Sequence, residues 1–141
     1  VQDGTVRIND LVAIPGSTAS DGTYYVTGVK SGLAYFTTNP FPGYRTLPGF
    51  ATSGTGTEAF VWKFGTPGPK DGLGFHTDWA VEFGGSGSEG GTAIAASSTA
   101  VLVGGYYDSA FDIAPGVINA LLPTTSGPEA FATQIPGDGN W

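Results

Sequence analysis

The chain repeats itself, and an internal repeat constrains a fold more than any single motif, because both copies must adopt the same local structure. Thr23-Tyr-Tyr-Val-Thr-Gly28-Val-Lys-Ser-Gly-Leu-Ala-Tyr-Phe36 lines up with Ala100-Val-Leu-Val-Gly-Gly105-Tyr-Tyr-Asp-Ser-Ala-Phe-Asp-Ile113, setting Val26 on Val103 and Gly28 on Gly105. Ser53 to Phe64 lines up with Thr125 to Ile135, and Glu-Ala-Phe stands in both, at 58–60 and 129–131. Upstream, Val12-Ala-Ile14 matches Thr92-Ala-Ile94; downstream, Gly72 to Trp79 loosely matches Gly137 to Trp141. Four blocks therefore recur in one order. The offset is 77 residues at the glycines and 71 at Glu-Ala-Phe, so the copies differ by a loop: 37–57 is about six residues longer than 114–128. Such insertions sit on surfaces, where extra loop length costs little closure entropy. The pattern divides the 141 residues into a first unit, 1–79, with an N-terminal strand, and a second, 80–141.

Both units read as antiparallel β-structure. Tyr24 to Val29 and Ala100 to Tyr106 are rich in Val, Leu and Tyr and are bounded by Gly, Ser and Asp, the pattern of strands. In Glu58-Ala-Phe-Val-Trp-Lys-Phe64 the rings Phe60, Trp62 and Phe64 alternate with other residues, which gives one aromatic face at period two and a firmly set register. Trp79 to Phe83 forms a further strand, ended by Gly84-Gly85-Ser86-Gly87. Weak helical character is confined to Val117 to Leu122, between Pro115 and Pro123. The 24 Gly and 10 Pro fit many short strands joined by turns. Charged residues are only 12 % of the chain, against roughly 25 % in ordinary soluble domains, so a helical bundle or a charge-rich tail is excluded.

Twelve acidic against five basic residues give a net charge of −7. Binding nucleic acid needs clustered Lys and Arg, and the same shortage disfavours an anionic membrane surface. The apolar runs are far shorter than the roughly 20 residues of a spanning helix, so membrane insertion is not expected. There is no Cys, which removes disulfides, thiolate catalysis and Cys-based zinc sites. Low charge, abundant Gly, Ser and Thr, and a start at Val1 without Met lead us to expect an exported protein, extracellular or at the cell surface.

Little points to catalysis. His76 is the sole histidine and neighbours Asp78, the pair a general base would need, but no Gly-x-Ser-x-Gly elbow accompanies it, and a loop histidine packed on an aromatic is the simpler reading. Asp71, Asp108, Asp112 and Asp138 fall in or beside turns without the spacing of a compact calcium loop. Glu58 and Glu129 hold equivalent places, as a turn-side hydrogen bond or cap at a strand start. The Gly-Ser run at 84–91 lacks the Lys-Ser/Thr ending of a phosphate cradle. We expect no enzyme activity and no cofactor or metal. Tyr24, Tyr35, Tyr106 and Tyr107 are candidates for stacking on sugar rings.

Phe83-Gly-Gly-Ser-Gly-Ser-Glu-Gly-Gly-Thr-Ala-Ile-Ala95, followed by Val101-Leu-Val-Gly-Gly105 and Glu129-Ala-Phe131, resembles the bacterial β-propeller repeat often called the SBBP repeat. Tyr25-Val-Thr-Gly28 and Glu58-Ala-Phe-Val-Trp-Lys63 match it in the first copy; Phe131-Ala-Thr-Gln134 departs from it, and the first copy lacks Gly-Gly-Ser-Gly. The resemblance implies four-stranded antiparallel blades and an extracellular or envelope protein, with no catalytic residues to carry over. A closed propeller takes about 4 to 8 blades, whereas this chain supplies two blade-like repeats. Ile94 lies 15 residues after Trp79, and Ile14 would lie 14 after Trp141 if Val1 followed it, so the repeat nearly closes head to tail. The expectation is a chain that associates with itself into a filament or ring, Val1 to Ile8 lying as a strand beside the C-terminal strand of a neighbour or of its own chain. The residues expected at that contact are Val1, Val6, Ile8, Trp79, Phe83 and Trp141. A fragment of a longer propeller would show the same matching ends. A lectin-like module that binds glycans is the alternative.

Overall fold

The computed structural model describes residues 4–16, 22–32, 56–65, 76–114, 121–123 and 126–139. It is all β, in antiparallel sheets. Strands β1 (Thr5–Pro15), β2 (Gly22–Ser31), β3 (Glu58–Gly65) and β4 (His76–Phe83) form a four-stranded meander in that order. Strands β5 (Gly90–Ala96), β6 (Ala100–Tyr107) and β9 (Glu129–Pro136) form a second sheet, also in chain order. Between β6 and β9 a small ribbon pairs β7 (Phe111–Asp112) with β8 (Leu121–Leu122). Leu121 and Leu122 are thus extended rather than helical; the rest of that expected helical stretch lies outside the described residues. Strand β4 belongs whole to the first sheet, so the boundary expected between 79 and 80 falls inside a strand, and the crossing to the second sheet runs over 84–89.

The pairing register reproduces the repeat. Gly28 pairs with Phe60 across β2 and β3, and Gly105 pairs with Phe131 across β6 and β9. On the other side, Ile8 faces Gly28 while Gly91 faces Gly105, and Leu11 faces Val26 while Ile94 faces Val103. Each of these ladders is broken at one place, at Asn9 in β1 and at Thr92 in β5. Both first strands therefore carry a bulge at the same position, where one extra residue is left over against the partner strand. The bulge makes Leu11, not Ile14, the counterpart of Ile94. Matching Val12-Ala-Ile14 to Thr92-Ala-Ile94 slips the alignment by three residues, because an Ala-Ile pair recurs by chance where the backbone pattern does not.

Side chains alternate across a strand, so each sheet has a front face, carrying the Gly–Phe pair, and a back face. The back of the first sheet presents Tyr25, Ala59, Val61 and Phe83; the front of the second presents Ile94, Val101, Val103, Phe131 and Ile135. These nine, with Tyr107 and Phe111, form one buried core. Phe83 meets Phe111 and Phe131 edge-on at 5.9 and 5.7 Å between centroids, a favoured aromatic geometry. Gly91 sets the spacing between the sheets: a Cβ there would stand 2.0 Å from Thr27 Oγ1, whose hydroxyl donates to Phe60 O at 2.8 Å. The linker is tied down as well. Glu89 N donates to Thr57 O at 2.9 Å, Thr57 Oγ1 donates to Glu89 O at 3.1 Å, and Ser88 N donates to Asp108 Oδ1 at 2.7 Å.

Candidate functional site

The two sheets stack in the same sense. The front of the second lies on the back of the first, so the chain is a head-to-tail pair and its two outer surfaces differ. A sandwich built from two equivalent faces would bury both fronts or both backs. The outward front of the first sheet buries Val26, Phe60 and Ala80, with Trp62 and Phe64 packed against them; Trp62 lies 4.6 Å from Phe64, which stacks on Tyr24 at 5.3 Å. The period-two aromatic row expected from sequence is therefore present and faces away from the second sheet. At β1 that face is open: Val6, Ile8 and Leu11 are 46, 53 and 52 % exposed. The outward back of the second sheet carries Ala93, Ala95, Leu102, Ala130, Ala132 and Gln134, all exposed and none charged, with Leu102 at 48 %. A shallow groove of about 220 Å³ runs along it, between Ala95, Ala96, Ala100, Leu102 and Gln134.

The strand edges differ too. Among the described residues each sheet has two edge strands paired on one side only, β1 and β4 in the first and β5 and β9 in the second. In the first sheet β4 lies beside β3; the equivalent position beside β9 holds no strand among the described residues. The open side of β5 is met by β1 side chains, with Asn9 Nδ2 donating to Gly91 O at 2.7 Å and Ile94 N donating to Asp10 Oδ2 at 2.9 Å. The bulge at Asn9 is what turns this pair toward β5.

The residues expected at a self-association contact divide. Val6 and Ile8 sit on the exposed front of β1, and their strand pairs with β2 of its own chain, not with the C-terminal strand: Val6 faces Lys30 and Ile8 faces Gly28. Trp79 works inside the chain, its Nε1 donating to Gly137 O at 3.2 Å and its ring against Gly139, whose φ is +79°. Phe83 is buried in the core. Val1 and Trp141 lie outside the described residues. Of the tyrosines expected to stack on sugars, Tyr107 is buried with its ring stacked on Phe111 at 5.4 Å, leaving no free face; Tyr24 is engaged with Phe64; Tyr106 is half-buried on the back of the second sheet; Tyr35 lies outside the described residues. His76 opens β4 opposite Gly65. Asp78 pairs with Lys63 at 3.3 Å, while Asp108 and Asp112 accept from the backbone N–H of Ser88 and Ala114.

One cluster escapes a reading by sequence. Lys30 is fully buried, its ammonium 3.0 Å from Glu58 Oε2 and 2.6 Å from Glu82 Oε2. The signal for it is the register, which sets Lys30 opposite Glu58 and Phe60 opposite Glu82. Burial pushes the Glu82 carboxyl above the ordinary range, against the opposing pull of Lys30. Glu89, also buried, is raised by burial although it accepts from Gly85 N and Ser109 Oγ. Glu58 and Glu129, equivalent by register, thus do different work: the first is an ion-pair partner in the interior, the second is exposed. Comparison with protein-family models, with curated proteins and with solved structures finds no match for this chain.

Proposed function

We propose that the chain is a structural protein of the cell exterior that associates with itself head to tail, its open sheet edges completed by strands of neighbouring copies, in the manner implied by its resemblance to propeller repeats. The observation that carries this reading is the repeat in register combined with unequal sheets: Gly–Phe pairing and bulge recur, but among the described residues no strand lies beside β9 where β4 lies beside β3. An open edge offers a row of unpaired N–H and C=O groups, which an added strand satisfies. Because the two outer surfaces are unlike, contacts of this kind are heterologous; they close a ring or extend a filament according to the rotation per copy.

Hydrogen exchange on dilute and concentrated protein tests strand addition. Assembly should slow exchange of alternate amides in β9, Glu129–Pro136. Equal exchange of β9 in the free and assembled protein would refute it.

A further inference from the structure

The contact made inside the chain also identifies a surface that joins one chain to the next. Within the chain, β5 approaches β1, β2 and β3 across the back of the first sheet. The counterpart of β5 is β1, and the counterpart of that back face is the back of the second sheet. From this equivalence we infer that a second copy of this chain lays the exposed front of its β1 on the uncharged back of the second sheet, so that β1 crosses β5, β6 and β9 as β5 crosses the first sheet. The inference rests on the head-to-tail self-association proposed above and names the faces that meet.

Side-chain volumes agree with it. Inside the chain small Gly91 lies on larger Thr27, with no room for a Cβ. By register, the corresponding pair between copies is Ile8 on Gly104: the large residue has moved to the approaching strand and the small one to the receiving sheet. A Cβ at Gly104 would meet nothing nearer than Phe131 O at 3.8 Å, so the receiving surface is open there. Likewise Ile94, bonded to Asp10 inside the chain, corresponds to Leu11 beside Ala93, where a methyl group replaces the carboxylate. Both exposed surfaces are thus shaped and discharged for each other. Chains of net charge −7 repel one another, and a face without charge is where two can meet with least opposition.

Two substitutions at half-exposed positions test this while sparing the core. Leu102→Glu places a charge on the receiving face, and Ile8→Glu places one on the approaching strand. Burying either charge should weaken association about a hundredfold or more, so each variant alone sediments as a single chain while its circular dichroism stays that of the parent. Mixed in equal amounts, the two retain one intact surface each and should form two-chain complexes and nothing larger. If the parent assembles and either variant assembles equally well, these faces are not the contact and only edge completion by strand addition stands. A mixture that stays single-chain likewise overturns the pairing of these two faces. If the parent itself stays single at every concentration, the self-association reading falls and this inference with it.

Discussion

Replacing Lys30 by Met removes the ammonium that Glu58 and Glu82 share, and leaves two carboxylates in a site where water reaches Glu58 hardly at all. Breaking a buried ion pair by removing one partner costs about 3–5 kcal/mol. Glu82 keeps 23 % of its side-chain surface exposed, so water solvates part of the stranded charge, and the lower end, about 3 kcal/mol at pH 7, is expected. For a chain of this length that is a fall in melting temperature on the order of 10 °C. The deficit must also depend on pH. Glu82 already holds its proton to higher pH than a free carboxyl, and without Lys30 nothing opposes that shift, so the folded variant takes up protons that the unfolded chain, with carboxyls near 4.3, does not. Stability of the variant then rises as pH falls from 7 toward 5, and the gap to the parent narrows. Urea melts of both proteins at pH 7 and pH 5 measure it. A deficit below about 1 kcal/mol at pH 7, or the same deficit at both pH values, would refute the account of the cluster as a shared, desolvated ion pair.

Glu82→Gln leaves Lys30 paired with Glu58 and removes the surplus carboxylate. In the parent the raised Glu82 costs stability as pH climbs from the unfolded carboxyl range through its folded value, so urea midpoints fall over that window; the variant's should fall less, Glu89 supplying what remains. Gly91→Ala drives a methyl into Thr27 Oγ1, which is held by its bond to Phe60 O, and should cost about 1–3 kcal/mol as overpacking, with partial recovery in Gly91→Ala/Thr27→Ala measured by the same melts. Gly139→Ala combines a left-handed backbone with contact on the Trp79 ring; a loss of about 1–2 kcal/mol is expected, read by thermal melting and by a changed Trp79 fluorescence.

Strands and repeat are legible in the sequence because they rest on local signals. Val and Tyr runs between glycines, the alternation of Phe60, Trp62 and Phe64, and the doubled Glu-Ala-Phe all reappear as strands in matched register. What failed to show needed three-dimensional information. A bulge at Asn9 or Thr92 leaves no mark in residue type, so Val12-Ala-Ile14 aligns by sequence with Thr92-Ala-Ile94, three residues out of step with the backbone. Which face of one sheet meets the other cannot be told from two equivalent glycines, though one packs inward and the other outward. Lys30 looks like a solvated strand residue until its cross-strand partner is known to be Glu58. Phe83, expected at a contact between chains, fills the core because β4 belongs to the first sheet and its last residue points at Phe111 and Phe131.

On the proposed reading, unlike outer surfaces join this chain to its own copies. Sedimentation velocity of the unaltered protein over a range of concentrations tests it most directly. The mass should grow with concentration beyond a single chain, toward a ring of fixed size or a filament without limit. A single-chain mass at every concentration would contradict it.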